Sequence, residues 1–320
     1  MVFCVMQASA QDPQFSQFYS SNLYLNPAFT GANACGRVNL AYRNQWLGIN
    51  NIYNTQLLSY DHFVPHLRSG FGGMITRDKA GSGGLTTTNY SFLYGHEIVL
   101  SRKVAVRGGL QGTYGRRTIY YKDFIFGDQI SRNSMVTVED PKGAVGYFDA
   151  SAGLLLYTVE GWFGFSTHHL LQPNTALVGG TARLPRKYSL QAGWNFQPKE
   201  SNGILSEQDK YTVAINYKAQ GKFDQLDIGA YITRKEIVLG LWYRGIPVLK
   251  SYKPGYPNND AVAILLGYVK DKISIGYSYD LTISWLTPAT LGSHEVTLTY
   301  QFCRKPPPRK KPTTFACPKF

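Results

Sequence analysis

Nowhere in the 320 residues is there a run of eighteen apolar side chains, so no helix beyond a leader can cross a membrane. Charge is also scarce. Asp, Glu, Lys and Arg make up 17% of the chain, against about 25% in ordinary soluble domains. Acidic groups are the scarcer sign, 20 against 33 basic, for a net charge of +13. That excess invites a nucleic-acid partner, but the basic residues scatter among strand ends and turns and form no stacking platform, so no nucleic-acid partner is expected. Catalytic motifs are missing as well. There is no HExxH, no GxSxG and no paired-carboxylate spacing. "GSGGL" (Gly81 to Leu85) lacks the Lys-Ser/Thr of a phosphate loop and reads as a hairpin turn. His168 and His169 are adjacent, so in a strand they point to opposite faces and cannot serve one metal or triad; they read as strand-end or loop-base residues. Asp123 and Asp128 in "KDFIFGDQI" read as loop-ordering residues. Neither an enzyme nor a metal or cofactor site is expected.

What is present points elsewhere. Aromatics are 14% of the chain, with 23 Tyr, and there are 32 Gly. High Tyr and Gly with low charge and no long apolar run is the composition of an outer-membrane β-barrel, where aromatics form interfacial girdles and small residues fit the lumen. Periodicity agrees. "VAVRGGLQGTYG" (Val104 to Gly115), "FDASAGLLLYT" (Phe148 to Thr158), "YSLQAGWNF" (Tyr188 to Phe196) and "YTVAINYKA" (Tyr211 to Ala219) alternate large apolar residues with small or polar ones. "LDIGAYITR", "IVLGLWYRG", "AVAILLGYV", "ISIGYSYDL" and "HEVTLTYQF" do the same. Each has about the 9–11 residues that a tilted strand needs to cross a membrane. Ile273, Ile275, Tyr277 and Tyr279 should face lipid, and Ser274, Gly276, Ser278 and Asp280 the lumen. Fourteen such segments fall between Gly36 and Cys303, an even number suited to closure. A soluble sandwich or propeller would also show many strands. The joins near Ser101–Lys103, Val159–Gly161, Arg234–Lys235 and Lys270–Lys272 are tight, whereas Arg116–Ala144, Leu170–Lys187, Gly245–Asp260 and Thr282–Ser293 are long. Short periplasmic turns and long outer loops are the asymmetry of bacterial barrels. "QPKESNGILSEQD" (Gln197 to Asp209) is a long join on the periplasmic side.

The ends are different in kind. "MVFCVMQASA" is an apolar run closed by a small-x-small pattern, so residues 1–10 read as the remnant of a signal peptide whose true start lies upstream. Residues 11–35 follow as an N-terminal segment, 36–303 as the barrel, and 304–320 as a tail. The tail, "RKPPPRKKP" onward, is basic and stiffened by proline; it is either solvated or a docking arm for an acidic periplasmic partner. Lys and Arg near the membrane surface can also meet anionic outer-membrane lipids. Cys4 leaves with the leader, and Cys35, Cys303 and Cys317 remain for an oxidising compartment. Three pairings are open; the expected disulfide joins Cys317 to Cys35 or Cys303, pinning the tail.

"QDPQFSQFYSSNLYLNPAFTG" (Gln11 to Gly31), "VNLAYRNQW" (Val38 to Trp46), "FGDQ" (Phe126 to Gln129), "SYDLT" (Ser278 to Thr282), "GSHEVTLTY" (Gly292 to Tyr300) and the terminal "CPKF" resemble the PorP/SprF family of Bacteroidetes. The resemblance implies an outer-membrane barrel of the type IX secretion system. It implies partners too: adhesin-type cargo recognised through its C-terminal domain, and periplasmic peptidoglycan-binding lipoproteins that link secretion to gliding motility. It brings no catalytic or cofactor residues. An outer-membrane solute channel is the alternative, since barrel form does not decide function.

Two candidate sites follow. The first segment is aromatic, is interrupted by Pro13 and Pro27, and cannot lie in lipid, where unpaired amides find no partner. It is expected inside the barrel or across its periplasmic mouth, as a plug. Phe15, Phe18, Tyr19 and Phe29 would pack against small inward residues, and Asn22 and Asn26 would hold turns. The second is a cargo site on the outer loops. Tyr120, Tyr121, Phe124 and Phe126 with Arg116 and Arg117 form the aromatic-plus-Arg mixture of interface cores, and Tyr252 and Tyr256 stand on a proline-stiffened frame that loses little entropy on binding.

Overall fold

The computed structural model describes residues 12–33, 35–48, 53–81, 84–121, 124–125, 127–133, 135, 143–177, 180–198, 209–246, 251–253, 256–284 and 291–302, with the backbone alone at 251–253 and 256–257. The alternating segments form strands. β1 spans Gly36–Gln45, β2 Tyr53–Val64, β3 Ser69–Ala80, β4 Leu85–Val99 and β5 Val104–Thr118. β6 spans Ala144–Thr158, β7 Gly161–His168, β8 Lys187–Phe196, β9 Asp209–Gln220 and β10 Phe223–Arg234. β11 (Ile237–Gly245) is followed by the short β12 (Ser251–Lys253) and β13 (Tyr256–Pro257). β14 (Asn259–Lys270), β15 (Ile273–Thr282) and β16 (Ser293–Phe302) complete the set. All but β12 and β13 close into a 14-strand antiparallel barrel, each strand pairing with its neighbours in sequence. β1 zips onto β16 from Gly36 opposite Phe302 to Gln45 opposite Ser293. Every barrel strand has a paired neighbour on both sides, so no edge strand is left facing lipid.

The two-residue period sorts the side chains. Ile273, Ile275 and Tyr277 stand exposed on the outer wall, while Ser274, Gly276, Ser278 and Asp280 are buried on the inner one. Leu40, Leu58, Leu110, Ile264 and Leu298 continue the apolar outer band. Asn39, Arg43, Asp61, Arg107, Asp227 and Glu295 are buried inside, so this barrel is inverted relative to a soluble protein. At the end where β1 begins, the connections are short: 65–68, 100–103 and the two-residue turns 159–160, 235–236 and 271–272. The opposite end carries the long joins 119–143, 169–186, 246–258 and 283–292. That asymmetry places the start of β1 and the end of β16 on the periplasmic side. The join 197–208 remains the periplasmic exception.

Candidate functional site

Residues 12–33 lie within the barrel and run the length of the lumen rather than capping one mouth. Asp12 sits at the outer end. It accepts from Lys187 Nζ at 2.6 Å, meets His169 Nε2 at 2.8 Å, and its backbone N–H donates to Gln220 Oε1 at 3.1 Å. Gly31 sits at the periplasmic end, where its N–H donates to Asp61 Oδ2 at 2.9 Å and Asp61 also accepts from Arg37 Nε at 3.0 Å.

Between these ends the chain is seated at two further levels. Glu295 takes both the Ser16 and Gln17 N–H groups, at 2.7 and 3.0 Å. Its neighbours extend into a buried ion network. Arg43 donates to Glu295 at 3.2 Å and to Asp280 at 2.7 Å; Arg244 reaches Asp280 at 3.1 Å and Asp227 at 2.9 Å; Lys218 lies 3.3 Å from Asp227. The Ser16 hydroxyl donates to Asp280 and accepts from Arg43 and Arg244. A neutral hydroxyl thus completes a network whose charges are already paired, so burial is tolerated. Lower down, Asn26 is fully buried. Its Oδ1 caps the 3₁₀ turn Pro27–Phe29 by accepting from Ala28 N at 2.8 Å, and its Nδ2 reaches the carbonyls of Leu154 and Phe165 and Gln191 Oε1. Pro27 is well placed at the first position of that turn, where a missing N–H is harmless.

The aromatic side chains fill the space between these anchors. Phe15 packs edge-on against Tyr24 at 5.2 Å, Phe18 against Trp242 at 4.6 Å, and Tyr19 lies 5.5 Å from Tyr231. Phe29 is 1% exposed, and Asn22 is buried at the head of α1 (Asn22–Leu25). Inward glycines make room. A Cβ on Gly70 would strike the Thr30 carbonyl, one on Gly109 the Pro27–Ala28 backbone, one on Gly153 the Asn26 amide and one on Gly276 the Gln17 amide.

The histidine pair sits where a strand ends and a loop begins, but its rings do not part to opposite faces. His168 ends β7 facing inward, and His169 then adopts φ of 59°, so the strand alternation stops and both rings meet the N-terminal segment. His168 Nε2 lies 3.3 Å from the Leu25 carbonyl, and His169 Nδ1 lies 2.5 Å from Asp149 Oδ2. Burial works against a charged His169, but Asp12 and Asp149 outweigh it and raise its pKa to about 9. Burial alone would raise the Asp12 carboxyl; Lys187 and His169 instead hold it well below its usual value. The His169 contribution is therefore complete below its unfolded value near 6.5 and is lost as pH rises through about 9. That of Asp12 is present above about 3.8 and fades as pH falls below it. In an NMR titration His169 is expected to titrate near pH 9, and Asp12→Asn to move its midpoint toward 6.5. A wild-type midpoint at or below 6.5 would dissolve the outer clasp.

The loop residues are only partly gathered. Tyr121 and Phe124 pack at 6.0 Å, and the Tyr121 hydroxyl donates to the Leu177 carbonyl at 3.4 Å. Tyr120 is 74% exposed. Arg116 and Arg117 are consecutive on β5 and part company: Arg116 is exposed on the outer wall, and Arg117 turns into the lumen to donate to Thr175 Oγ1 at 2.9 Å. Tyr252 and Tyr256 lie on the β12–β13 hairpin at the outer rim. Phe126 lies outside the described residues. Cys35 is disulfide-bonded; Cys303, Cys317 and the tail lie outside the described residues. Sequence reasoning missed Asp12, Ser16, Gln17, Arg43, Asp280 and Glu295 as the seat of the segment, although three of them stand in "YRNQW", "SYDLT" and "HEVTLTY".

A closed barrel with an apolar outer wall, a polar lumen and a segment of its own chain threaded through that lumen defines an integral outer-membrane protein. The family model described as type IX secretion system membrane protein PorP/SprF matches residues 7–300. The chain belongs to that family, and it is an outer-membrane component of the secretion machinery. No curated protein matches it in sequence. Among solved structures it is similar to the Pseudomonas putida toluene transporter TodX, at 10% identity over 92% of this chain and 95% of that one, with a TM-score of 0.49. It is also similar to the CymD monoaromatic hydrocarbon channel, at 12% identity over 89% and 93%, with a TM-score of 0.48.

Proposed function

We propose that this barrel is a non-enzymatic binding and assembly component of the secretion and gliding machinery. It holds adhesin-type cargo at the outer face through the cargo's C-terminal domain and links to a peptidoglycan-binding lipoprotein in the periplasm. The observation that carries this reading is the occupied lumen: residues 12–33 are anchored at four levels, from Asp12 at the outer end to Gly31 at the periplasmic end. A solute channel needs a continuous aqueous path, and the aromatic fill weighs against one. In this reading residues 1–10 are a cleaved leader, 11–35 the plug, 36–303 the barrel, and 304–320 a periplasmic arm.

The outer loops then supply the docking surface. Tyr120 and Phe124 are exposed beside Tyr121, and rigid aromatics of this kind carry most of the energy of protein interfaces. Replacing Tyr120, Tyr121 and Phe124 together by Ser is expected to lower cargo retention on cells at least tenfold, on the order of one lost hot spot, while the barrel still assembles. Normal retention would move docking to the periplasmic face and its basic tail. Unchanged adhesin display after gene deletion, with solute uptake lost, would favour the channel.

A further inference from the structure

Not every glycine in the wall serves the threaded segment. Gly73 on β3 and Gly112 on β5 face outward, on the same side of the sheet as Ile75 and Leu110. A Cβ on Gly112 would meet nothing within 4 Å, and one on Gly73 only the Ser91 carbonyl at 4.0 Å. Packing within the chain therefore does not require glycine at either place. The two flank Phe92, to which both are cross-strand partners, and the wall is hollowed there into a groove of about 690 Å³. Lipid-facing positions of a barrel ordinarily carry large apolar side chains, so this hollow stands out.

The groove continues upward. A second hollow of about 750 Å³ shares Leu58, Ile75 and Tyr90 with it. Its upper rim is cationic: Arg77 pairs across to Thr88, and Thr88 to Arg116, so one outward row reads Arg-Thr-Arg. Two strand spacings of about 4.8 Å separate the arginines, within reach of one group above Thr88. Lys79 stands one outward position higher on β3. Among the described residues Arg77, Lys79 and Arg116 make no ion pair or hydrogen bond, and no carboxylate faces outward at these levels on β16 or β1–β6. The row lies directly above Tyr90 and Tyr114 of the outer aromatic girdle, which is headgroup height.

We propose that this face of the barrel binds an outer-leaflet lipid with a phosphorylated headgroup. The phosphate is held by Arg77 and Arg116 with Lys79 above them, and an acyl chain lies in the hollow between Phe92 and the two glycines. Guanidinium groups match phosphate oxygens in geometry as well as charge. An acidic protein segment would satisfy the rim but not the apolar floor, and an uncharged chain would satisfy the floor but leave three cations unpaired; a phosphorylated lipid meets both demands.

The test is native mass spectrometry of the delipidated barrel after incubation with lipid A or with phosphatidylcholine. Wild type is expected to retain lipid A and release phosphatidylcholine. Arg77→Gln with Arg116→Gln should reduce lipid A retention by roughly tenfold or more, the scale of one lost charged hydrogen bond. Gly112→Leu, which has room for its side chain, should lower retention of lipid A while leaving the fold and the oligomeric state as in wild type. Equal retention of both lipids would mean annular lipid only and would overturn the proposal. So would undiminished lipid A in both variants, or cross-links that place a second copy of the chain in the groove.

Discussion

Deleting residues 11–29 is expected to turn a silent barrel into a conducting pore. The wall's own ladder is closed without the segment, since β1 pairs with both β2 and β16. Removing the segment takes Phe15, Phe18, Tyr19 and Phe29 out of the lumen and leaves hydrogen-bonding side chains facing the space. Water then enters and hydrates Arg43, Asp280 and Glu295, so those charges are not stranded in a dry interior. Single-channel recording in planar bilayers should show conductance well above that of the intact protein. Gly153→Leu gives an independent route to the same end, because its side chain competes for the place of the Asn26 amide. If the deleted barrel assembles and conductance does not rise, the segment is no plug.

Glu295→Ala should have the opposite character, with little opening but a large loss of stability. Glu295 is fully buried and serves two backbone N–H groups and Arg43. With the segment still in place, water cannot replace it. Losing one partner of a buried charged pair costs about 3–5 kcal/mol, to be read from the urea midpoint of the barrel in detergent micelles. Glu295→Gln keeps the shape and should lose less. In the background of the 11–29 deletion the same alanine substitution should cost little, a coupling that a double-mutant cycle measures directly. A loss below about 1 kcal/mol in the intact protein would show that Ser16 and Gln17 are seated by something else.

The strand alternation was legible because a barrel wall has only two sides and a period of two, so Ile275 and Gly276 declare their faces without reference to any distant residue. The inner position of the first segment was legible for a similar reason: prolines and unpaired amides exclude it from lipid whatever it touches. Its seat was not. Arg43, Asp280 and Glu295 could be read as marks of a family, but nothing local shows that they converge on Ser16, which is 264 residues from Asp280 and 279 from Glu295 along the chain. His169 is legible as a strand-end or loop-base residue, but the positive φ that turns it toward Asp12 depends on contacts 157 residues away.

Arg116 and Arg117 divide in the same way. Their adjacency suggested one basic site, while membership of β5 sends one to the outer wall and the other to the lumen. Sequence alone determined the class of wall, the number of crossings, the long-loop end and the exclusion of the first segment from lipid, because each follows from short-range periodicity and solvent preference. Tertiary structure decided the path of that segment, the residues that hold it and the cationic hollow on the outer face. Those depend on which side chains closure of the barrel brings together across strands, and closure is a property of all fourteen at once.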